Sequence, residues 1–191
     1  MTNPLSLADR TGLPDALRVL IEEFPRDGWA GHKNYSQLIA FWLDRHLMFR
    51  RLMAELGQDA DMMLDKAIDP EKYKQRLSRF GGMLINELHG HHQIEDQHYF
   101  PVMAALDTRV SAGFDLLDKD HHALDGILAG LTEGANAVLQ APPRDKNGFQ
   151  TAVADLQKQL NAFDPMLNRH LIDEEELVVP VLLRYAPAQL Q

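Results

Sequence analysis

Two stretches of the chain repeat one set of side chains that could hold a metal ion: His91-x-x-x-Glu95-x-x-x-x-x-Pro101 and His170-x-x-x-Glu174-x-x-x-x-x-Pro180. A histidine and a carboxylate four residues apart project from one side of an α-helix, one turn above the other. Apolar residues at helical spacing surround both pairs, so both should face a core. An imidazole and a carboxylate are costly to bury unless something pairs with them. A cation is the most economical partner, and two such helices suggest more than one ion. With no Cys in the chain, the ligands must be nitrogen and oxygen. Imidazole with carboxylate suits iron, manganese or zinc better than magnesium or calcium.

Winding each helical segment at about 100° per residue shows which histidines face inward. His46 centres on Tyr35, Ile39, Trp42, Leu43, Phe49 and Met53. His91 centres on Leu77, Phe80, Leu84, Leu88 and Val102, with Glu95 and His98 beside it. His121 falls among Phe114, Leu117, Leu124 and Leu128, and is preferred to His122. His170 and Glu174 lie among Leu156, Phe163, Leu167, Leu177 and Val181. By the same winding His89, His92 and His122 turn toward solvent, and His32 falls in a loop. One inward histidine is ordinarily a hydrogen-bonded core residue, and one His-x-x-x-Glu pair is ordinarily a surface pair. Four inward histidines with two inward glutamates call for a metal.

The elements that must position these groups are helical, since no sustained period-2 alternation and no hairpin signal occurs. The pattern predicts a short helix over residues 13–24, then helices over about 34–56, 69–105, 107–139 and 149–183. Gly57 is read as the end of the second and 58–68 as a loose connection. Asp69-Pro70 and Asp107 are read as helix starts. Pro101 should kink or end the third long helix, Pro165 and Pro180 should interrupt the last, and residues 141–148 form the clearest loop. The expectation is an all-α, antiparallel up-down four-helix bundle with an extra short N-terminal helix. It is one domain over 1–191, with a core of about 34–185 and an N-terminal extension over 1–33.

At 191 residues the chain suits a single core, and 45% hydrophobic with 25% charged residues is a globular balance. A net charge of -9 argues against nucleic acid and anionic membranes as partners. The first residues lack the character of a signal peptide and no apolar run reaches membrane-spanning length, so a cytoplasmic protein is expected. Bundles build dinuclear sites from facing helices, with carboxylates bridging two ions. The excess of imidazole disfavours a ferritin-type site, whose Glu-x-x-His unit is mimicked only once, by Glu95 and His98.

The segments around His46, from Glu87 to Pro101, from Asp120 to Asp125 and from His170 to Pro180 resemble the hemerythrin-like family, a four-helix bundle with a non-haem di-iron centre. The resemblance covers about residues 35–183. It implies that His46 and His91 ligate one iron and His121 and His170 the other. Glu95 and Glu174 would bridge them, together with an oxo or hydroxo group. The family's oxygen binders usually carry a second histidine one turn after the His121 position, where this chain has Asp125. That iron would then take Asp125, a water or a histidine borrowed from elsewhere, with His98 as the candidate donor. The implied function is binding of O2, NO or peroxide for sensing or storage, with a protein partner needed in a sensing role. The alternatives are a di-iron oxidoreductase acting on peroxide or another small oxidised molecule, and a bundle that uses metal only structurally.

Overall fold

The computed structural model describes residues 5–190. Among them there is no strand, and the chain is an all-α bundle. The helices are α1 (Val19–Glu23), α2 (Gln37–Leu64), α3 (Pro70–Ile94), α4 (Phe100–Leu106), α5 (Ser111–Gln140) and α6 (Lys146–Tyr185). Short 3-10 turns flank α1, and a single π-helical turn, Glu95–Tyr99, joins α3 to α4. No helix among the described residues is long and apolar enough to cross a membrane.

The four long helices share one rhythm of buried positions, alternating steps of three and four residues. On α2 it runs Ile39, Trp42, His46, Phe49, Met53, Leu56, Ala60 and Met63. On α6 it runs Phe149, Val153, Leu156, Leu160, Phe163, Leu167, His170, Glu174, Leu177 and Val181. Such a stripe buries one face of a helix against its neighbours. The candidate ligands occupy core positions of that stripe, where any other chain would place leucine.

Several boundaries differ from those read in the sequence. Helix α2 does not stop at Gly57 but continues to Leu64, because Ala60 and Met63 carry the stripe onward. A glycine inside a helix costs only about 1 kcal/mol against alanine, less than burial of two further turns returns. The helix ends where Lys66 adopts φ 59°, with the Lys66 and Ala67 N–H groups donating back to the Met63 and Met62 carbonyls. Helix α6 runs unbroken through Pro165 and Pro180 and begins at Lys146, inside the expected loop. The start of α3 is as expected: Asp69 Oδ1 accepts from the Glu71 and Lys72 N–H groups at 3.0 and 3.1 Å. Substituting D69A should lower the unfolding free energy by about 1 kcal/mol in denaturant titration. An unchanged midpoint would mean the cap contributes nothing.

The chain forms two compact units. The first comprises Met1–Leu47, His91–Ala123 and Met166–Gln191. Its core joins Leu13, Leu20 and Trp29 of the N-terminal segment to Ile39, Phe100, Met103, Phe114 and Leu177–Leu183 of the helices. Gly113 is pressed on Leu177, since a Cβ there would meet its methyl carbons at 2.7 and 2.8 Å. The second unit comprises Met48–Gly90 and Leu124–Pro165, with a core of Phe49, Leu56, Tyr73, Leu84, Leu128, Leu156 and Phe163. In it Arg76 pairs with Asp59 and Glu55, and Lys74 Nζ caps the end of α5 through the Leu139 and Ala141 carbonyls.

Candidate metal centre

Every group that could hold a metal here lies in the first unit. Helix α2 contributes His46, α3 contributes His91 and His92, and the π turn opens with Glu95. Helix α5 contributes His121, and α6 contributes His170 and Glu174. Their ligand atoms form two groups. One is His46, His91, Glu95 and Glu174; the other is His92, His121 and His170; within each, the atoms lie within 4.8 Å of one another.

The two carboxylates join the groups. Glu95 Oε1 is 2.8 Å from His91 Nε2, and its Oε2 is 3.5 Å from His121 Nε2. Glu174 Oε1 is 3.2 Å from His46 Nε2 and 3.9 Å from His91 Nε2, while its Oε2 is 3.5 Å from His170 Nε2. Each glutamate thus offers one oxygen to each set of imidazoles. The His46 and His91 Nε2 atoms are 3.1 Å apart and aim at one point. On the other side His92 stacks on His121 with ring centroids 4.0 Å apart, and His170 meets both edge-on.

The polar atoms aimed into this space lack protein partners. Both ring nitrogens of His92, both oxygens of Glu95, Nε2 of His121 and His170, and Oε2 of Glu174 are buried without a hydrogen bond. Buried polar groups are nearly always satisfied, and a cation is the one partner that suits clustered acceptors of this kind. An N/O donor set with more imidazole than carboxylate fits iron, manganese or zinc. The residues present therefore fit a pair of such cations.

Around them, further carboxylates fix the rings. His46 Nδ1 lies 3.0 Å from Glu175 Oε1, His121 Nδ1 2.7 Å from Asp96 Oδ1 and His170 Nδ1 3.4 Å from Asp120 Oδ2. A partner on one ring nitrogen sets the tautomer and leaves the other nitrogen free to ligate. Trp42 Nε1 donates to Glu174 Oε1 and so orients the bridging carboxylate.

The electrostatics match. Burial alone would lower the His46 imidazolium, but the Glu174 and Glu175 carboxylates override it and raise its pKa to about 9. His91 is pushed down to about 3 by burial, with the neighbouring imidazoles adding to the effect. His92 is likewise held well below the usual histidine range by burial beside His121 and His170. Burial, then the Glu174 charge, holds the Glu95 carboxyl well above the carboxylate range. A cation binding here must displace the His46 proton and the proton favoured on Glu95. Affinity should accordingly rise with pH, about tenfold per pH unit for each proton released, and the His46 contribution should level off near pH 9. Isothermal titration in buffers of different ionisation enthalpy measures that release; binding with no proton release would contradict it.

Of the residues singled out in the sequence, His46, His91, Glu95, His121, His170 and Glu174 come together. Asp125 does not. Its side chain is 48% exposed, 3.5 Å from His89 Nδ1 in the second unit. The α5 stripe passes through Leu117, His121, Leu124 and Leu128, leaving Asp125 on its outer edge. His98 is exposed as well, because the π turn adds a residue and swings it outward. His122 and His89 are exposed as expected.

His92 was missed, although only 2% of it is exposed. The winding was centred partly on Phe80, which is half-buried beneath the Arg76 and Arg79 guanidinium groups at 4.9 and 5.5 Å. The buried stripe instead follows Tyr73, Leu77, Gly81, Leu84 and Leu88. A face about 100° wide centred there takes in both His91 and His92, the first turned toward His46 and the second toward His121 and His170. The step of four from Leu88 to His92 was the signal that could have found it.

The family model described as the hemerythrin HHE cation-binding domain matches residues 37–182. The chain belongs to this hemerythrin family. No curated protein and no solved structure matches it. The HHE match spans all four long helices that carry the clustered residues and begins after α1, so Arg10 and Arg26 lie outside it. Metal binding by a helical bundle follows from membership.

Proposed function

We propose that the chain is a non-haem di-iron protein that binds O2 or a related small molecule, NO or peroxide, for sensing or storage. The observation that supports this reading is the placement of Glu95 and Glu174, each with one oxygen toward His46 and His91 and the other toward His121 or His170. A single ion would not need carboxylates turned both ways. In this reading His46 and His91 serve one iron, His92, His121 and His170 the other, and the glutamates bridge. An iron pair, when bound, supplies a redox-active centre open to a small exogenous ligand.

The chain's own groups decide where that ligand goes. Three imidazoles face one side and two the other, so the side of His46 and His91 has fewer protein donors and is the place for an added ligand. That side is walled by aromatic rings: Trp42 lies 5.9 Å from His91, and Tyr99 4.9 Å from Trp42. Such walls admit a small apolar molecule and keep bulk water away. The reading treats the protein as cytoplasmic, with a receiving protein partner if its role is sensing.

Reconstitution with ferrous iron, followed by elemental analysis and visible spectroscopy, tests the proposal. The expected result is two irons per chain and charge-transfer absorption after oxidation. Exposure of the reduced protein to O2 should then give a persistent adduct, whereas turnover without one would move the assignment to an oxidoreductase. No stoichiometric iron, or a spectroscopically silent zinc-filled bundle, overturns it.

A further inference from the structure

Two arginines from the N-terminal segment reach the surroundings of the centre. Arg10 is almost wholly buried, with 2% of its side chain exposed. Its Nε donates to Asp173 Oδ2 at 2.8 Å, and its Nη1 donates to Asp120 Oδ1 at 3.2 Å and to the Leu5 carbonyl at 3.0 Å. Its Nη2 donates to Asp120 Oδ2, the same oxygen that faces His170 Nδ1. Arg26 makes the corresponding contact elsewhere in this unit. Its Nη1 donates to Glu175 Oε2 at 2.5 Å, and Glu175 Oε1 faces His46 Nδ1 at 3.0 Å. Its guanidinium lies 4.6 Å from the centroid of the Trp29 ring, whose Nε1 is tied to the Phe24 carbonyl.

These are two chains of guanidinium, carboxylate and imidazole. One ends on His170, in the group with His92 and His121; the other ends on His46, in the group with His91. One such arginine would be ordinary compensation for a buried acid. Two of them, ending on histidines of different groups and both outside the family-matched residues, divide along the two metal positions. We propose that Arg10 and Arg26 are positioning residues of the metal centre, each holding one histidine for one cation through Asp120 or Glu175, so that the N-terminal segment sets the affinities of the two cations separately. This rests on the two-cation reading above.

The physical basis is orientation. A carboxylate that loses its guanidinium is left buried and charged, or turns away, and the ring it held is no longer fixed; loss of such outer partners typically costs about 10- to 100-fold in metal affinity. Arg18 provides an internal comparison. It ties the same segment to α6 through Glu176 at 3.8 Å but touches no histidine partner.

Anaerobic titration of the full chain with cobalt(II), followed by its visible bands, reads the two binding steps without redox chemistry. The H46A and H170A variants assign which step belongs to which group. R26Q, at a half-exposed side chain, should weaken the step that H46A removes by about 10- to 100-fold and leave the other unchanged, with R26K restoring most of the loss. Arg10→Lys, which keeps the buried charge but not the forked geometry, should weaken the step that H170A removes. R18Q should alter neither. Equal weakening of both steps by R26Q, or no weakening by either arginine variant, overturns the inference while leaving the two-cation centre standing. Uptake of one cobalt or none by the unmodified protein overturns both.

Discussion

Replacing Glu174 with alanine is expected to abolish binding of both cations, whereas E176A should leave both in place. The two residues sit two positions apart on α6, but their surroundings differ completely. Glu174 is fully buried, with Oε1 3.2 Å from His46 Nε2 and Oε2 3.5 Å from His170 Nε2, so its loss removes a donor from each group. Glu176 faces outward, with Arg18 at 3.8 Å as its ion pair. The affinity loss in E174A should exceed the roughly 100-fold that follows loss of an outer partner. The substitution also strips the Trp42 indole N–H of its acceptor, so E174Q, which keeps an acceptor oxygen there, is the companion variant for folding. Elemental analysis after iron reconstitution measures the outcome. Equal metal content in E174A and E176A would mean that the bridging geometry is wrong.

The second large effect is expected at His92. H92A should remove the cation held with His121 and His170, or weaken it severely, while D125A should change nothing. His92 is buried with both ring nitrogens unpartnered, and a neutral imidazole is kept there because burial disfavours its charged form. Asp125 is exposed beside His89. The imidazole one turn after His121, missing from this chain, is in this account replaced from α3 rather than by an oxygen ligand. D125H should therefore neither restore nor improve anything. Iron stoichiometry with circular dichroism on H92A, D125A and D125H distinguishes the cases. Loss of iron in D125A with retention in H92A would reverse the assignment.

What could be read from the sequence was what periodicity encodes. Helices, their stripes and six of the clustered residues follow from apolar spacing, because core positions in a bundle repeat every three or four residues regardless of context. What could not be read depends on contacts between distant segments. Gly57 resembled a stop because its local propensity is poor, yet the stripe through Ala60 and Met63 outweighs it. Phe80 resembled core because it is large and apolar, but arginines cover it. Asp173 and Glu175 look like the solvent face of α6; they are buried because Arg10 and Arg26 lie against them. No property of α6 alone announces a cover supplied from more than 140 residues earlier in the chain.

The π turn between α3 and α4 has a consequence for which lengths of chain this fold tolerates. A π turn accommodates one residue more than an α-helix would over the same path. Here that extra residue lets Glu95 point into the centre while Phe100 and Met103, beyond it, still reach the core. Deleting one residue from Asp96–Tyr99 would regularise the helix and rotate everything after it by about 100°, turning Phe100 and Met103 away from their neighbours. A loop would absorb the loss of a residue unnoticed. At this place in a helix, by contrast, the chain has a fixed gauge, and natural or engineered single-residue deletions should be tolerated in the 141–145 connection and rejected here.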